Sequence, residues 1–430
     1  MLFIKKISPG RILVLGFALV ILLGSLLLYL PFTHNEGIDV SYVDALFTST
    51  SAVCVTGLIA VDTADTFNVI GQTIVALLIQ IGGLGFTSLG VGLILLAGGK
   101  VSFKERLVVK EALNLNSVKG IVKLIKSVLF LTICFEGIGV LLSFLVFSKD
   151  YPPVKALGIS IFHSVAAFNN SGFDILGGLH NLIPYQQNIL LNLTTCFLII
   201  FGGIGFLVIM EVLLKRSFKK LSFHSKVVIT MSIILLIVGT ILLKATEDIT
   251  WLGAFFFSTS ARTAGFSTYP LSTFTNAGLF VLIILMFIGA SPGSTGGGIK
   301  TTTFYTLIKS VLSSATNQYC TGFKRRIPQT LILKAFLILF LGLNIVCFNT
   351  FLLSILEPNI DFLDLLFEEV SAFGTVGLST GITPDLKDSS KIILAFTMFI
   401  GRLSPLTMAT IWAFRSKTNI RYAEESLPIG

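Results

Sequence analysis

Four short segments hold the one repeated pattern in this chain that could do chemistry. They read SAVCVTGL (Ser51 to Leu58), AAFNNSGF (Ala166 to Phe173), STSARTAGF (Ser258 to Phe266) and SAFGTVGLSTG (Ser371 to Gly381), and aligning them superposes Gly57, Gly172, Gly265 and Gly377. Before these glycines stand Thr56, Ser171, Ala264 and Val376, and before those Val55, Asn170, Thr263 and Thr375. Only the glycine is common to all four, so no shared side chain is the ligand, whereas a shared backbone shape is open to all. Glycine reaches conformations that other residues resist, and a loop that aims its carbonyls at one axis can replace the hydration shell of a cation. These twelve residues are the candidate ion selectivity filter. Enzyme chemistry has no comparable footing, because no His, Glu or Ser cluster repeats a ligand or triad spacing. Cys54, Cys134, Cys196, Cys320 and Cys347 are isolated, which supports neither a disulfide framework nor a zinc or other transition-metal site, and they are expected to serve packing.

A second constellation is FIGASPGSTGGGIKTTTF, Phe287 to Phe304. It runs from Gly289 through Ala290, Ser291, Pro292, Gly293, Ser294, Thr295, Gly296, Gly297 and Gly298 to Lys300, a density of breakers that no helix tolerates. A helix starting near Asn276 reaches only ~20 Å into a ~30 Å hydrocarbon core before this break. Irregular backbone at that depth must be buried in protein or line water. A loop beneath the filter, acting as a gate, meets both conditions; a static packing kink is the alternative. The string mimics a phosphate-binding loop, but Ile299 separates Gly298 from Lys300 and breaks the required spacing, so no nucleotide is expected on this chain. Arg402 follows Gly401 at mid-depth of the last apolar stretch, and an intramembrane arginine marks a functional path by default. It is expected to face the pore below the filter and to belong to the gate, with a buried pair to Glu136 or Glu211 as the structural alternative. Arg262 is expected to pair with Glu368 or Glu369 behind the filter, and His163 to be packed and neutral.

These residues need a scaffold, and composition says which. With 53% hydrophobic and 12% charged residues, against roughly 25% charged in a soluble domain, the chain reads as an all-α integral membrane protein. Apolar stretches near the ~20 residues needed to cross a bilayer fall at about 11–30, 67–97, 122–147, 187–214, 225–245, 276–312, 329–356 and 389–414. The first follows Lys5, Lys6 and Arg11 but has no cleavage signature, so it is expected to be retained. Shorter segments near 42–53, 157–168, 251–261 and 362–372 precede each filter segment and suit re-entrant pore helices. The expected architecture is four span, pore helix, span repeats around a single pore, with eight transmembrane helices. The repeats would divide as 1–99, 100–220, 221–324 and 325–430, all within one transmembrane domain. The filter glycine is followed by the next span's glycine at 24 residues for Gly289 and for Gly401, 25 for Gly82 and 30 for Gly202. Four helix C-termini meeting near the midplane would favour a cation and repel anions.

Of the 31 Lys and Arg, 25 fall in the N-terminal, inter-repeat and C-terminal segments, so both termini are expected in the cytoplasm. The opposite connections carry acidic residues, among them Glu36, Asp39, Asp62, Asp65, Asp174, Glu357, Asp385 and Asp388, which are either ordinary solvated loops or a field that would concentrate cations at an outer mouth. The basic loops are explained by this sidedness, so nucleic acid is not an expected partner, while anionic membrane lipid is.

Taken together, TSAVCVTGL, AFNNSGF, STSARTAGF, SAFGTVGLSTG, the glycine-rich interruption and IGRLSPLT (Ile400 to Thr407) resemble the superfamily of K⁺ transporters that includes the Trk, Ktr and plant HKT proteins. The resemblance covers essentially the whole chain and, with eight spans, is greatest to the Ktr-type membrane subunit. It implies channel-like K⁺ uptake across a bacterial plasma membrane, often stimulated by Na⁺. It also implies a homodimer with one pore per protomer, controlled by a cytoplasmic nucleotide-binding ring of the KtrA/KtrC type. Plant relatives with serine at the first filter glycine tend to favour Na⁺, so Gly57 argues for K⁺. Ser404 departs from the pattern, where glycine is expected after Arg402. The rival reading is an alternating-access secondary transporter binding a solute or Na⁺ at the broken sixth span, although such folds tend to show two halves rather than four like hairpins.

Overall fold

The computed structural model describes residues 9–112, 118–411 and 425. Its first quarter comprises α1 (Pro9–Tyr29), α2 (Tyr42–Cys54), the single turn α3 (Thr63–Thr66), α4 (Val69–Leu84) and α5 (Phe86–Leu96), followed by α6 (Phe103–Ala112). Next come α7 (Ile121–Phe147), α8 (Pro153–Asn169), α9 (Ile189–Ile204) and α10 (Phe206–Lys215). The third quarter holds α11 (Phe223–Thr246), α12 (Trp251–Ser260), α13 (Asn276–Phe287) and α14 (Thr301–Ala315), with a small hairpin, β1 (Thr321–Gly322) and β2 (Arg325–Arg326), after it. The last holds α15 (Gln329–Leu356), α16 (Phe362–Gly374), α17 (Asp388–Leu403) and α18 (Pro405–Ile411).

Helix starts follow from capping chemistry. Side-chain oxygens of Ser41 and Thr250 accept backbone N–H groups at the heads of α2 and α12, and those of Asn68, Asn188 and Thr275 do so for α4, α9 and α13. Helix α8 begins at Pro153, four residues before the expected start, because a proline in the first turn has no N–H to leave unsatisfied. The helices α1, α7, α11 and α15, of 21, 27, 24 and 28 residues, are each long and apolar enough to cross a membrane. They expose Leu19, Leu23, Phe130, Ile133, Leu333 and Phe340 on outward faces, which suits lipid and not water.

The stretches at 67–97, 187–214 and 389–414, expected as unbroken spans, are each interrupted. α4 and α5 part at Gly85 and α9 and α10 at Gly205, both with a bend of 97°. α17 and α18 part at Ser404, whose φ of 78° and ψ of 132° match the 78° and 130° of Gly85 and the 95° and 133° of Gly205. One residue in this conformation ends the i to i−4 ladder and sends the chain sideways. Ser404 therefore occupies the backbone position of a glycine without being one. The part of 389–414 beyond residue 411, and Lys5, Lys6, Arg415, Lys417 and Arg421 of the charge count, lie outside the described residues.

Short and broken helices close on one another in cyclic order: α4 against α8, α9 against α12, α13 against α16 and α17 against α2. An ion pair of 2.8 Å between Lys391 on α17 and Asp44 on α2 joins the last quarter to the first. Within three of the quarters, a glycine on the long helix admits a serine of the short one. Gly24 meets Ser49, Gly139 meets Ser164 and Gly239 meets Ser258, where an added Cβ would come within 2.5 Å of each hydroxyl. Those hydroxyls donate to carbonyls of the long helices: Ile21 at 2.7 Å, Glu136 at 2.7 Å and Leu236 at 2.9 Å. Small residues thus let the backbones approach, and a hydrogen bond fixes the depth of each short helix.

Candidate ion selectivity filter and gate

At the end of α2, α8 and α16 the cap residues Val55, Asn170 and Thr375 take φ of 58°, 60° and 50°. Thr263, after the turn that follows α12, takes 75°. Two residues on, Gly57, Gly172, Gly265 and Gly377 have φ of 94°, 70°, 76° and 93°, while the residue between is not in the positive region. This alternation in the sign of φ differs from an ordinary strand, and turning alternate peptide planes over lets successive carbonyls face one side. The N–H groups are meanwhile tied back to the short helices. Those of Thr56, Ser171, Ala264 and Val376 donate to the carbonyls of Ser51, Ala166, Ser260 and Ser371 at 2.8–2.9 Å. Gly57 and Gly377 donate to the hydroxyls of Ser51 and Ser371 at 3.0 Å. Among the described residues, the carbonyls of the twelve accept no hydrogen bond except that of Gly172, which takes one from the Asn181 amide at 3.0 Å.

The four glycines form a closed cycle. A Cβ on Gly57 would lie 2.1 Å from the carbonyl oxygen of Ser171, one on Gly172 2.7 Å from that of Ala264, one on Gly265 2.3 Å from that of Val376, and one on Gly377 2.1 Å from that of Thr56. Each glycine is thus required by its neighbour's carbonyl, which is why the residue type recurs while the residues before it vary. Above the cycle lies a cavity of about 290 Å³ whose lining includes the four glycines together with His180, Asn181 and Thr380.

The Gly289 to Lys300 segment lies against the opposite side of the cycle. It begins and ends on a parallel bridge between Ile288 and Ile299. A Cβ on Gly296 would strike Thr263 Oγ1 and one on Gly297 would strike Thr375 Oγ1, so both glycines let the loop press against filter residues. The Gly297 N–H donates to Thr375 Oγ1 at 2.9 Å. The break of the second quarter holds the other flank: Ser291 and Thr295 N–H donate to the carbonyls of Gly203 and Gly202, and Phe206 N–H donates to that of Gly293 at 3.1 Å. Ser294 Oγ donates to the Ser291 carbonyl at 2.6 Å, and Ser291 and Thr301 hydroxyls lie 3.0 Å apart. Ala290 is buried beside Gly203, and Pro292 places its carbonyl against Gly205.

Two cations bind this loop's carbonyls. Lys300 Nζ donates to Gly296 at 2.7 Å and to Gly297 at 3.2 Å. The Arg402 guanidinium donates to Thr295 in the loop and to Gly82 and Gly83 just before the first quarter's break. One side chain from the fourth quarter thereby ties the loop of the third to the bend of the first. The alternative pairing of Arg402 fails: Glu211 binds Lys215, Ser222 and Ser225, and Glu136 accepts from Asn169.

The Arg262 expectation also fails. Its guanidinium donates to the Ser232 hydroxyl on α11 at 3.1 Å, whereas Glu368 accepts from Ser379 and Thr383 and Glu369 from Asn349 and Thr397. Arg262 and the two glutamates thus bond to uncharged partners where the sequence suggested an opposite charge. His163 is buried, with Nε2 2.9 Å from Thr195 Oγ1. Cys54, Cys196 and Cys320 are buried, while Cys134 and Cys347 face outward from the long helices. Sequence reading missed the link from the candidate filter to the acidic connection after it, in which Asn181 bridges the Gly172 carbonyl and Asp174 Oδ2 at 3.0 and 2.9 Å. The nearest sequence signal was the Asn181 position nine residues after the glycine, which recurs in no other quarter.

The family model described as TrkH, cation transport protein, matches residues 12–250 and 230–422 of the chain. The potassium/sodium uptake protein NtpJ of Enterococcus hirae is 38% identical, over 99% of this chain and 98% of that protein. Ktr system potassium uptake protein B of Bacillus subtilis is 37% identical over 97% and 96%, and its namesake from Vibrio alginolyticus 35% over 99% and 96%. The crystal structure of the potassium transporter TrkH from Vibrio parahaemolyticus superposes with a TM-score of 0.75 over 95% of this chain and 87% of that one, at 19% identity, a likeness of fold.

Proposed function

The chain belongs to the TrkH family of cation transport proteins, and from that premise we propose that it is the K⁺-translocating membrane subunit of a Ktr-type uptake system. The observation that carries this reading is the closed cycle of four glycines, each backed by its neighbour's carbonyl. The ion would shed its water to carbonyls of Val55 to Gly57, Asn170 to Gly172, Thr263 to Gly265 and Thr375 to Gly377, and the short helices would direct their negative C-terminal ends at it. The two relatives named as Ktr system potassium uptake proteins, and the one named for potassium and sodium, support K⁺ as cargo. Na⁺ enters this proposal as a stimulating ion and not as the main cargo.

The quarters 1–99, 100–220, 221–324 and 325–430 are proposed as four repeats of one transmembrane domain, each contributing a span, a re-entrant helix, a filter strand and a broken second span. The basic side, with both termini, faces the cytoplasm of a bacterial cell and meets a nucleotide-binding ring, and two copies form the working dimer. The loop from Gly289 to Lys300, tied by Arg402, is the gate between filter and cytoplasm. Four quarters built in the same sense count against an alternating-access mechanism based on two halves. Purified protein in liposomes is the direct test: uptake of K⁺ should exceed that of Na⁺ and of choline, and equal rates for all three would remove both filter and function.

A further inference from the structure

Two cavities outside the filter lie end to end in the groove between α14 and α15. The first, about 340 Å³, is walled, among the described residues, only by apolar ones, including Ile288, Ile299, Ile308 and Leu339. The second, about 610 Å³, shares Val311 with it and adds Ser310, Ser314, Gln318, Gln329 and Arg326 to an apolar wall of Ile332, Leu333 and Phe336. Following α14 forward and α15 backward, the groove therefore passes from wholly apolar to polar and basic. At its polar foot the Arg326 guanidinium lies 3.9 Å from the ring centroid of Tyr319, which holds the charge in place. Lys324 in the β1–β2 turn and Arg325 on β2 precede it, and among the described residues no carboxylate lines either cavity. A long apolar slot ending in fixed positive charge is complementary to one class of molecule.

We propose that this groove binds an anionic phospholipid of the inner leaflet, with its phosphate at Arg326 and one acyl chain against Ile288 and Ile299. The proposal rests on the sidedness argued above, which puts Arg326 at the cytoplasmic interface, where anionic headgroups lie. Because Ile288 and Ile299 are the paired ends of the glycine-rich loop, an acyl chain in the upper cavity braces the hinge on which that loop moves. The lipid is thus a regulator of the gate.

Native mass spectrometry of the purified full chain tests binding without reference to ion flux. Phosphatidylglycerol should be retained at least fivefold over phosphatidylcholine of the same acyl chains. Arg326→Gln should abolish that preference, Arg326→Lys should keep most of it, and Ile308→Trp, which fills the upper cavity, should lower retention of both lipids. Equal retention of the two lipids by the wild type, or an unchanged preference in Arg326→Gln, would overturn the site. So would a spontaneous cross-link between two copies carrying Ser313→Cys, which would make the groove a protein interface. In liposomes, phosphatidylglycerol should raise K⁺ flux through the wild type several-fold and leave Arg326→Gln indifferent. Selective binding with no effect on flux would overturn the regulatory role. Selective binding by a chain that carries no K⁺ would instead leave the lipid site standing and remove the transport reading.

Discussion

A serine at Gly57 would place its Cβ 2.1 Å from the Ser171 carbonyl oxygen, and the φ of 94° there is one that side chains rarely adopt. The carbonyl must therefore move, and if the cycle is the proposed filter a shift of a few tenths of an ångström would change how well it replaces water around K⁺. Serine at Gly57, Gly172, Gly265 or Gly377 should lower the ratio of K⁺ to Na⁺ uptake by about tenfold, equivalent to ~1.4 kcal/mol, in cells lacking other K⁺ systems. Unchanged selectivity in all four variants would remove the filter assignment. Arg402 acts at the same scale by charge and by hydrogen bonds. At an effective dielectric near 20, a unit charge ~6 Å from a passing cation opposes it by about 3 kcal/mol. Arg402→Gln should speed K⁺ flux several-fold, and Arg402→Lys, which keeps the charge but loses the fork that reaches Thr295, Gly82 and Gly83 together, should fall between the two. A slower Arg402→Gln protein with intact fold would reverse the assignment. The glycines were legible because steric exclusion selects a residue type. The partners of Arg402 and Arg262 were not, since a backbone carbonyl or a lone serine leaves no complementary charge in the sequence.

Elements show the same division. The density of glycine from Gly289 to Gly298 announced a break in the sixth apolar stretch, but single residues at Gly85, Gly205 and Ser404 interrupt three others, and one glycine among many carries no signal of its own. The recurrence is visible once the bends are superposed. Ser404, held at φ 78° and ψ 132°, sits where only glycine is at ease, at a cost on the order of 1–3 kcal/mol. Ser404→Gly should therefore raise the thermal midpoint in detergent, and a lower midpoint would show that serine makes up the strain by contacts of its own. Shortening Gly293 to Gly298 tests the loop as a unit. K⁺ flux should rise several-fold, with the dimer intact by size-exclusion, and combining the deletion with Arg402→Gln should give less than the product of the two gains, because both act on one closure. Full multiplicative gains would mean that arginine and loop obstruct the ion independently.

At the scale of the whole molecule, the contact of α17 with α2 closes the cycle of short and broken helices, while the division of basic from acidic connections is a reading of the sequence. The hydrogen bonds within the acidic connections were not readable, and a carboxyl that takes part in them, Asp174, carries a pH dependence. Burial pushes the half-buried Asp174 carboxyl up to about 7 from its ordinary 3.8, and repulsion from Asp62 and Asp65 adds to this against the hydrogen bonds from Leu176 N–H and the Asn181 amide. Between these two values the folded chain holds a proton that the unfolded chain has lost. The stability this contributes is present below about 3.8 and is lost as pH rises through about 7. The thermal midpoint of the wild type should fall from pH 5 to pH 8, and that of Asp174→Asn should change less. Transport should move the other way. Above pH 7 the ionised group adds a negative charge beside the vestibule and, through Asn181, next to the Gly172 carbonyl. At low external K⁺, uptake by the wild type should rise about two- to fivefold between pH 6 and pH 8 by electrostatic concentration of the cation. The rise should shrink in ~0.5 M choline chloride, where the Debye length is well under the ~10 Å of 0.1 M salt. Asp174→Asn should flatten the profile at the pH 6 level. A variant that keeps the wild-type slope would place the titrating group elsewhere on the outer face and leave Asp174 as a fastener of the loop that bears Asn181.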